Sequence, residues 1–126
     1  NKLYDRWIRL ESVQNASDQG RVAAATIAGK EKAYNALPWF WSDQYDVKLQ
    51  IAGLSQGYDE IIVRGERESG RSFAVFYLKD GLVIAVDAIN KAPEFMMGKR
   101  LISQQSQIDR EKLTDPSVNM KEVILT

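Results

Sequence analysis

The stretch SFAVFYLKDGLVIAVDA, residues 72–88, decides the fold. Residues 72–78 alternate between two faces, a period of two that is typical of a β-strand. One face would carry Phe73, Val75 and Tyr77, and the other Ala74 and Phe76. Asp80-Gly81 then suits a type I′ turn, since both residues tolerate positive φ, and residues 82–88 return as a second strand. The sequence therefore predicts an antiparallel β-hairpin.

Two more strands are predicted before this hairpin. Residues 47–51 alternate apolar and polar side chains, and residues 61–63 are all β-branched. A polar stretch at 65–71 suits an exposed link to the hairpin. Four strands joined by short turns indicate an antiparallel sheet. We therefore predict an α+β fold, an antiparallel sheet of about four to five strands flanked by helices.

Helical segments follow the sheet. Pro93 lies near the first turn of a helix predicted over residues 93–103. Four of its apolar side chains would cover the sheet: Phe95, Met96, Leu101 and Ile102. A short helix is predicted at 109–113, Asp115-Pro116 is a helix-start signal, and residues 118–125 are expected to form a last turn or short helix.

Another helix is predicted before the sheet, over residues 12–28. Its apolar and small residues recur at steps of three or four: Val13, Ala16, Gly20, Ala23 and Ile27. Ser12 suits the N-cap and Gly29 the C-terminal stop. The face is narrow and would bury little surface by itself, so this helix needs a partner element.

The most unusual segment is Pro38-Trp39-Phe40-Trp41, followed by the polar pair Ser42-Asp43. We predict a loop here. Aromatic side chains of this size commonly plug a core, but loops carry functional groups disproportionately. We expect one tryptophan to belong mainly to the core and the other to face a ligand.

The composition excludes several kinds of chemistry. Among the 126 residues there is no cysteine and no histidine, so thiolate sites, disulfides and histidine bases are absent. The 17 basic and 17 acidic residues give a net charge of zero, which does not favour nucleic acid or a membrane surface. No phosphate-binding glycine loop, metal site or catalytic carboxylate pair is predicted. Without cysteine or a signal peptide, we expect a cytoplasmic protein.

Some charged residues have two interpretations. Arg21 lies on the polar side of the first helix, where it is either a solvated charge or a docking contact. Lys99 and Arg100 either neutralise the last turn of their helix or join Arg21 in a basic patch. Asp87 is expected to close a strand and cap the region of Asn90.

The segment Leu37-Pro38-Trp39-Phe40-Trp41-Ser42-Asp43-Gln44-Tyr45 resembles a signature of oxygenase-coupled NAD(P)H–ferredoxin reductases. This group includes the putidaredoxin, rhodocoxin and biphenyl-dioxygenase reductases. The resemblance continues at Lys48-Leu49-Gln50-Ile51-Ala52-Gly53, at Val63-Arg64-Gly65, at Ala85-Val86-Asp87-Ala88 and at Gly98-Lys99-Arg100-Leu101-Ile102. Upstream, residues 9–16 match the stretch that leads from the flavin domain. The resemblance covers nearly the whole chain and is weakest after Gln104.

The resemblance implies a glutathione-reductase-like architecture with an FAD domain, an NAD domain and a C-terminal α+β domain. It implies that Trp41 lies near the flavin ring. It also implies that Glu11, Ser12 and Val13 approach the flavin, at a helix N-terminus that can present N–H groups to it. The reaction of the family moves hydride from NAD(P)H to FAD and then single electrons to a [2Fe-2S] ferredoxin.

Ferredoxins are acidic, so a basic docking face near the flavin edge makes physical sense. The candidates for that face are Arg21, Trp41, Lys99 and Arg100. The indole of Trp41 would offer both contact area and a short path for electrons.

The resemblance also divides the chain. Residues 1–30 would belong to the FAD domain, and residues 31–126 would form the C-terminal, dimerisation-like domain. Because neither dinucleotide fingerprint is present, we expect a longer parent protein and weak or no FAD binding by this chain alone. Two alternatives stay open: a non-catalytic interaction or dimerisation module of a related flavoprotein, and an unrelated α+β ligand-binding domain.

Overall fold

The computed structural model describes residues 1–68 and 70–126. Its centre is a five-stranded antiparallel sheet in the order β1-β2-β5-β4-β3. The strands are β1 (Trp39–Gln44), β2 (Val47–Gly53), β3 (Glu60–Gly65), β4 (Phe73–Lys79) and β5 (Leu82–Ile89). The helices are α1 (Val13–Ile27), α2 (Ala92–Gln104) and α3 (Arg110–Thr114), with a 3-10 turn at Met120–Glu122. The predicted α+β fold class is confirmed.

The predicted hairpin forms the central strand pair, β4 and β5. Asp80 and Gly81 have φ of 50° and 79°, the positive values that a type I′ turn requires. Along β4, Ala74, Phe76 and Leu78 are fully buried, so the predicted face that carries Ala74 and Phe76 is the core face.

The aromatic segment is a strand, so its prediction as a loop was wrong. Residues 39–44 form β1 at the edge of the sheet, with Trp39 opposite Ala52 and Trp41 opposite Gln50. Three consecutive aromatic residues hide the alternation that usually reveals a strand. In the strand, side chains two residues apart share a face, so both indoles lie on one side of the sheet.

Helix α2 covers one face of the sheet at very short range. A Cβ atom added to Gly98 would lie 2.5 Å from a methyl carbon of Val86, so only glycine permits this approach to β5. The predicted covering residues Phe95, Leu101 and Ile102 are buried. The prediction for Met96 was wrong, because this side chain is 61% exposed. Its position is rotated by about 100° from Phe95 and faces away from the sheet.

A charged side chain lies inside this core. Arg64 on β3 is 2% exposed, and its Nε donates to Oε1 of Glu94 on α2 at 3.3 Å. Its Nη1 donates to three backbone carbonyls, those of Lys112, Leu113 and Asp115, at 3.1, 3.1 and 2.6 Å. Its Nη2 donates to the carbonyl of Val118. One guanidinium therefore joins β3, α2 and the end of α3.

The chain after α3 differs from its prediction in one respect. Asp115-Pro116 does not start a helix, because Oδ1 of Asp115 accepts from the N–H of Ser117 at 2.9 Å and closes a turn. The expected last turn is present as the 3-10 turn Met120–Glu122. An antiparallel bridge between Ile108 and Ile124 then returns the terminus to the domain.

Asp87 and Asn90 have other roles than the one predicted. β5 continues two residues beyond Asp87, whose Oδ2 accepts a hydrogen bond from the Tyr77 hydroxyl at 2.7 Å. The side chain of Asn90 makes the capping hydrogen bonds itself. Its Nδ2 donates to the carbonyl of Arg71 at 2.8 Å, and its Oδ1 accepts from the N–H of Lys48 at 2.8 Å. The sheet end is thus closed by Asn90 and not by Asp87.

The segment before α1 is fixed to the sheet by one tyrosine. The hydroxyl of Tyr4 donates to the carbonyl of Ile84 at 3.1 Å and accepts from the N–H of Leu54 at 2.8 Å. Gly53 lies beside this bridge with φ of 77°, and a Cβ there would be 2.2 Å from the Ile84 carbonyl oxygen. Among the described residues, no helix is long and apolar enough to cross a membrane.

Candidate functional site

The N-terminus of α1 is built as the sequence predicts. The Ser12 hydroxyl accepts from the N–H of Asn15 at 3.2 Å, which is an N-cap contact and starts the helix at Val13. Val13 is 67% exposed. The Glu11 carboxylate is exposed and pairs with Arg9 at 2.9 Å. The three residues expected to approach a flavin therefore lie together on an open surface.

Two amide side chains in the first turn of α1 are the buried residues of this helix, and sequence reasoning missed them. Gln14 accepts at Oε1 from the backbone N–H of Trp39 at 3.2 Å. Asn15 donates to the carbonyl of Leu10 at 2.7 Å and accepts from the Tyr34 hydroxyl at 2.8 Å. The bond from Gln14 matters most, because β1 is an edge strand and the helix supplies an acceptor to that edge. The signal in the sequence is weak: two adjacent amides beside a plausible N-cap.

The aromatic residues form one connected cluster with a cation, here called the indole cluster: Trp39, Trp41, Phe95 and Lys99. The ring centroids of Trp39 and Trp41 are 5.4 Å apart with an interplanar angle of 30°, and Trp39 lies 6.3 Å from Phe95. The Lys99 ammonium lies 5.2 Å from the Trp39 centroid and 5.5 Å from that of Phe95, within cation–π range. Trp39 packs on the core, whereas Trp41 is 38% exposed.

The other two predicted docking residues lie outside the indole cluster. Arg21 is exposed and pairs with Asp18, one helical turn before it, at 3.4 Å. Arg100 is exposed, and its Nε donates to Gln104 at 3.1 Å. No contact in the described part of the chain joins either residue to the indoles. The structure thus groups Trp41 with Lys99 and leaves Arg21 and Arg100 as separate exposed cations.

The surface around Trp41 fits one wall of a flavin site. A flat ring can lie against its half-exposed indole, and the N-terminus of α1 is joined to the same strand through Gln14. Two grooves of about 560 and 460 Å³ lie elsewhere, against residues 6–10, and Trp41 lines neither of them. Aromatic stacking and helix N–H groups suit a flavin. The surface around Trp41 would contact only one side of such a ring and would not enclose it.

The small-residue stripe of α1 is exposed and is not packed against the described residues, 1–68 and 70–126. Its members Val13, Ala16, Gly20, Ala23 and Ile27 are all exposed, and Ile27 reaches 89%. The predicted need for a partner element is therefore not met by any described part of the sheet or of α2.

Tyr77 and Asp87 form a hydrogen-bonded pair on the sheet face opposite the indoles. Burial raises the pKa of Asp87, although the hydrogen bond that it accepts from Tyr77 opposes this effect. Burial and the same hydrogen bond raise the pKa of Tyr77 to about 12. At neutral pH Tyr77 is therefore a neutral phenol that donates to the Asp87 carboxyl group.

This pair gives a pH prediction. The raised pKa means that folded Asp87 binds its proton more tightly than the unfolded chain does, so stability falls as pH rises from the unfolded pKa through the folded pKa. Asp87→Asn keeps the acceptor for Tyr77 without the buried charge, and we expect it to raise the melting temperature at pH 7. The gain should disappear below about pH 3, where both states hold the proton in the parent chain.

Thermal unfolding of Asp87→Asn at a series of pH values measures this effect. Asp43→Asn, at an exposed position of β1, is the control and should give a small difference that does not follow the same profile. An Asp87→Asn gain that is equal at pH 3 and pH 7 would contradict the assigned cause.

The chain is similar to known proteins over nearly its whole length. Residues 39–124 match the model of a protein family described as reductase C-terminal. The chain is 48% identical to putidaredoxin reductase of Pseudomonas putida over 98% of its own length and 29% of that protein. It is 50% identical to a ferredoxin–NAD(P)(+) reductase of a Sphingomonas species over 90% of this chain and 27% of the relative.

A solved structure gives the same result. The crystal structure of the covalent putidaredoxin reductase–putidaredoxin complex matches 97% of this chain and 29% of the reductase chain, with a TM-score of 0.88 and 48% identity. The chain thus spans less than a third of the relatives that it matches.

Proposed function

Because the chain belongs to the reductase C-terminal family, we propose that it is the C-terminal portion of an FAD-dependent NAD(P)H–ferredoxin reductase. The proposed enzyme passes electrons from NAD(P)H to a [2Fe-2S] ferredoxin that serves an oxygenase system. The chain spans 29% of putidaredoxin reductase, so we assign the FAD and NAD domains to other parts of such a protein. By itself the chain is not catalytic in this proposal.

The observation that carries the proposal is the half-exposed indole of Trp41 on β1, the strand whose first residue, Trp39, donates its backbone N–H to Gln14 in the first turn of α1. When bound, FAD accepts hydride and gives up electrons one at a time. In the proposal, Trp41 forms a wall against the flavin ring and offers its remaining surface to the ferredoxin. Ser12 fixes the start of α1, so that the free N–H groups of its first turn, from Val13 on, face electron-rich flavin atoms, with Glu11 just before them.

The charged residues suit an acidic partner. Arg21 and Arg100 are exposed and hold only short-range partners on their own helices, so both can still attract an acidic surface. One similar solved structure is the covalent complex of putidaredoxin reductase with putidaredoxin, which supports a ferredoxin as the partner. We propose that this docking face comprises Arg21, Trp41 and Arg100, whereas the Lys99 ammonium lies over the rings of Trp39 and Phe95.

The division of the chain and its location belong to the same proposal. We assign residues 1–30 to the FAD domain and residues 31–126 to the C-terminal domain. A reaction that consumes NAD(P)H and serves an oxygenase suits the cytoplasm, where we expect the protein to work.

Replacing Trp41 tests the proposed function. In the flavin-loaded protein that contains this chain, we expect Trp41→Ala to lower kcat/KM for ferredoxin by about 30-fold, since a tryptophan at the centre of a contact is worth about 2 kcal/mol. The loss should be much smaller with ferricyanide, a small acceptor that needs no docking. Steady-state reduction of both acceptors measures the difference.

The matched control is Phe40→Ala. Phe40 is 44% exposed on the opposite face of the same strand, so its removal perturbs β1 to a similar extent. It should change ferredoxin reduction less than threefold. If both variants lose the same activity, or if Trp41→Ala loses ferredoxin and ferricyanide reduction equally, the docking role of Trp41 is wrong.

A second candidate is a non-catalytic association module. The exposed stripe of α1, with Val13 at 67% and Ile27 at 89% exposure, favours it because unpacked apolar faces promote association. Light scattering on the full protein separates the two functions. A stable oligomer without flavin-dependent ferredoxin reduction would favour the association module.

A further inference from the structure

The ammonium of Lys99 interacts with aromatic rings of its own chain. Its ammonium lies 5.2 Å from the centre of the Trp39 ring and 5.5 Å from that of Phe95, so one cation is shared by two aromatic faces. Such contacts orient the ring as well as the cation. A lysine held in this way is partly buried and is less available to an acidic partner than Arg100, its exposed neighbour.

Trp39 is fixed from three directions. Its backbone N–H donates to Gln14 of α1 at 3.2 Å, its ring lies 6.3 Å from the buried Phe95 of α2, and Lys99 covers a ring face. The small side chain of Ala52, fully buried on the neighbouring strand, leaves room for this indole to pack on the core. The position of Trp39 therefore depends on both helices.

Trp41 has no such anchors among the described contacts. It lies on the edge strand, it is 38% exposed, and its cross-strand neighbour is the polar Gln50. The aromatic ring in contact with it is Trp39, at 5.4 Å and 30°. The orientation of the functional indole is therefore set by the ring beside it.

We infer that Trp39 and Lys99 are positioning residues that hold the Trp41 indole in its working orientation. This inference rests on the proposed function, in which Trp41 meets both flavin and ferredoxin. Lys99 then acts through Trp39 and not by direct contact with the acidic partner. Loss of the Lys99 charge would let the Trp39 ring change its orientation. The Trp41 indole, which packs against that ring, would then change its orientation as well.

A spectroscopic experiment on this chain tests the packing step without any cofactor. Two indoles at 5.4 Å couple their electronic transitions and give paired circular dichroism bands of opposite sign in the far ultraviolet. Trp41→Phe should abolish these bands, which identifies their source. Lys99→Met, which keeps the length of the side chain, should reduce them to roughly half, whereas Lys99→Arg should preserve them because it keeps a cation over the rings.

Arg100→Met is the control for the loss of a neighbouring charge. It removes a cation from the same helix but touches neither indole, so the bands should keep their intensity. Unchanged bands in Lys99→Met, in a chain with the same melting temperature as its parent, would overturn the inference. So would an equal loss in Arg100→Met.

A double-mutant cycle in the flavin-loaded protein tests the functional step. Lys99→Met should lower the rate of ferredoxin reduction by about fivefold in the parent protein and by less than about twofold in a Trp41→Ala background, because the lysine acts through that indole. Its dependence on salt should match that of the parent, whereas Arg100→Met should weaken the salt dependence. Additive losses, or a weaker salt dependence in Lys99→Met, would identify a docking cation and overturn the inference.

The two failures are distinguishable. If Trp41→Ala reduces ferredoxin at the parental rate, the proposed function fails, and the circular dichroism bands still decide whether Lys99 holds the indole pair. If Trp41→Ala is slow but the cycle is additive, the proposed function stands and the positioning role of Lys99 fails.

Discussion

Replacing Arg64 with methionine is expected to lower the free energy of unfolding by about 3–5 kcal/mol, the cost of removing one partner of a buried ion pair. The guanidinium is 2% exposed, and Glu94 beside it is 5% exposed. Methionine fills much of the same volume but donates no hydrogen bond. The Glu94 carboxylate would then keep only Lys91, at 3.7 Å, as a charged partner.

The loss extends beyond the ion pair. Four backbone carbonyls at the end of α3 and in the following turn would lose their donor: those of Lys112, Leu113, Asp115 and Val118. A buried acceptor without a partner costs about 1–3 kcal/mol. We therefore expect the segment after α3 to loosen first. Hydrogen exchange of residues 113–124, together with denaturant unfolding, measures both effects.

Arg110→Met is the matched control. Arg110 pairs with Glu60 at 3.1 Å, but this pair is on the surface, with side-chain exposures of 52% and 37%. Exposed pairs contribute about 0–1 kcal/mol. If Arg64→Met costs no more than Arg110→Met, the buried guanidinium does not hold the C-terminal segment. A double variant, Arg64→Met with Glu94→Met, should recover part of the loss, because it removes the uncompensated charge.

Gly53→Ala is expected to cost about 2–5 kcal/mol, from positive φ and from overpacking against backbone. The residue has φ of 77°, and its added Cβ would lie 2.2 Å from the Ile84 carbonyl oxygen and 2.9 Å from the Tyr4 hydroxyl. A backbone atom cannot move aside without shifting β5. The same methyl group would also displace the tyrosine that bridges β2 and β5.

Gly57→Ala separates the two causes. Gly57 also has positive φ, 91°, but the nearest atom to its added Cβ is the end of Lys79 at 3.8 Å. It should therefore cost only the conformational part, about 1–2 kcal/mol. Denaturant unfolding of both variants gives the comparison. Equal losses at the two glycines would mean that the close approach at Gly53 contributes nothing.

Local patterns were enough to predict much of the fold. The alternation of residues 72–78 and the Asp-Gly turn identified the central hairpin and its two faces, and the structure shows that Ala74 and Phe76 lie on the buried one. Ser12 identified the start of α1, which lies within one residue of its prediction. These features depend on neighbours a few residues apart, and the sequence displays such neighbours directly.

Parts of the candidate site were also within reach of the sequence. Trp41 and the residues around Ser12 were proposed through their resemblance to a family motif, and the structure links the first turn of α1 to β1 through the bond from the Trp39 N–H to Gln14. The expectation that one tryptophan belongs mainly to the core agrees with Trp39, whereas the expectation that the other faces a ligand stays a prediction. Which indole is packed on the core and which is exposed depends on β1 being a strand. The three adjacent aromatic residues concealed that strand in the sequence.

By itself the sequence determined most of the elements, with β1 as the main exception, because helix caps, turn chemistry and side-chain periodicity are local. Only the tertiary structure decided what the long-range partners are. Arg64 meets carbonyls 48 to 54 residues away, and the ammonium of Lys99 lies over an indole 60 positions earlier in the chain. Such pairings are fixed by how α2, α3 and the sheet pack together, and a charged residue in a strand or helix carries no local sign of the partner it will find.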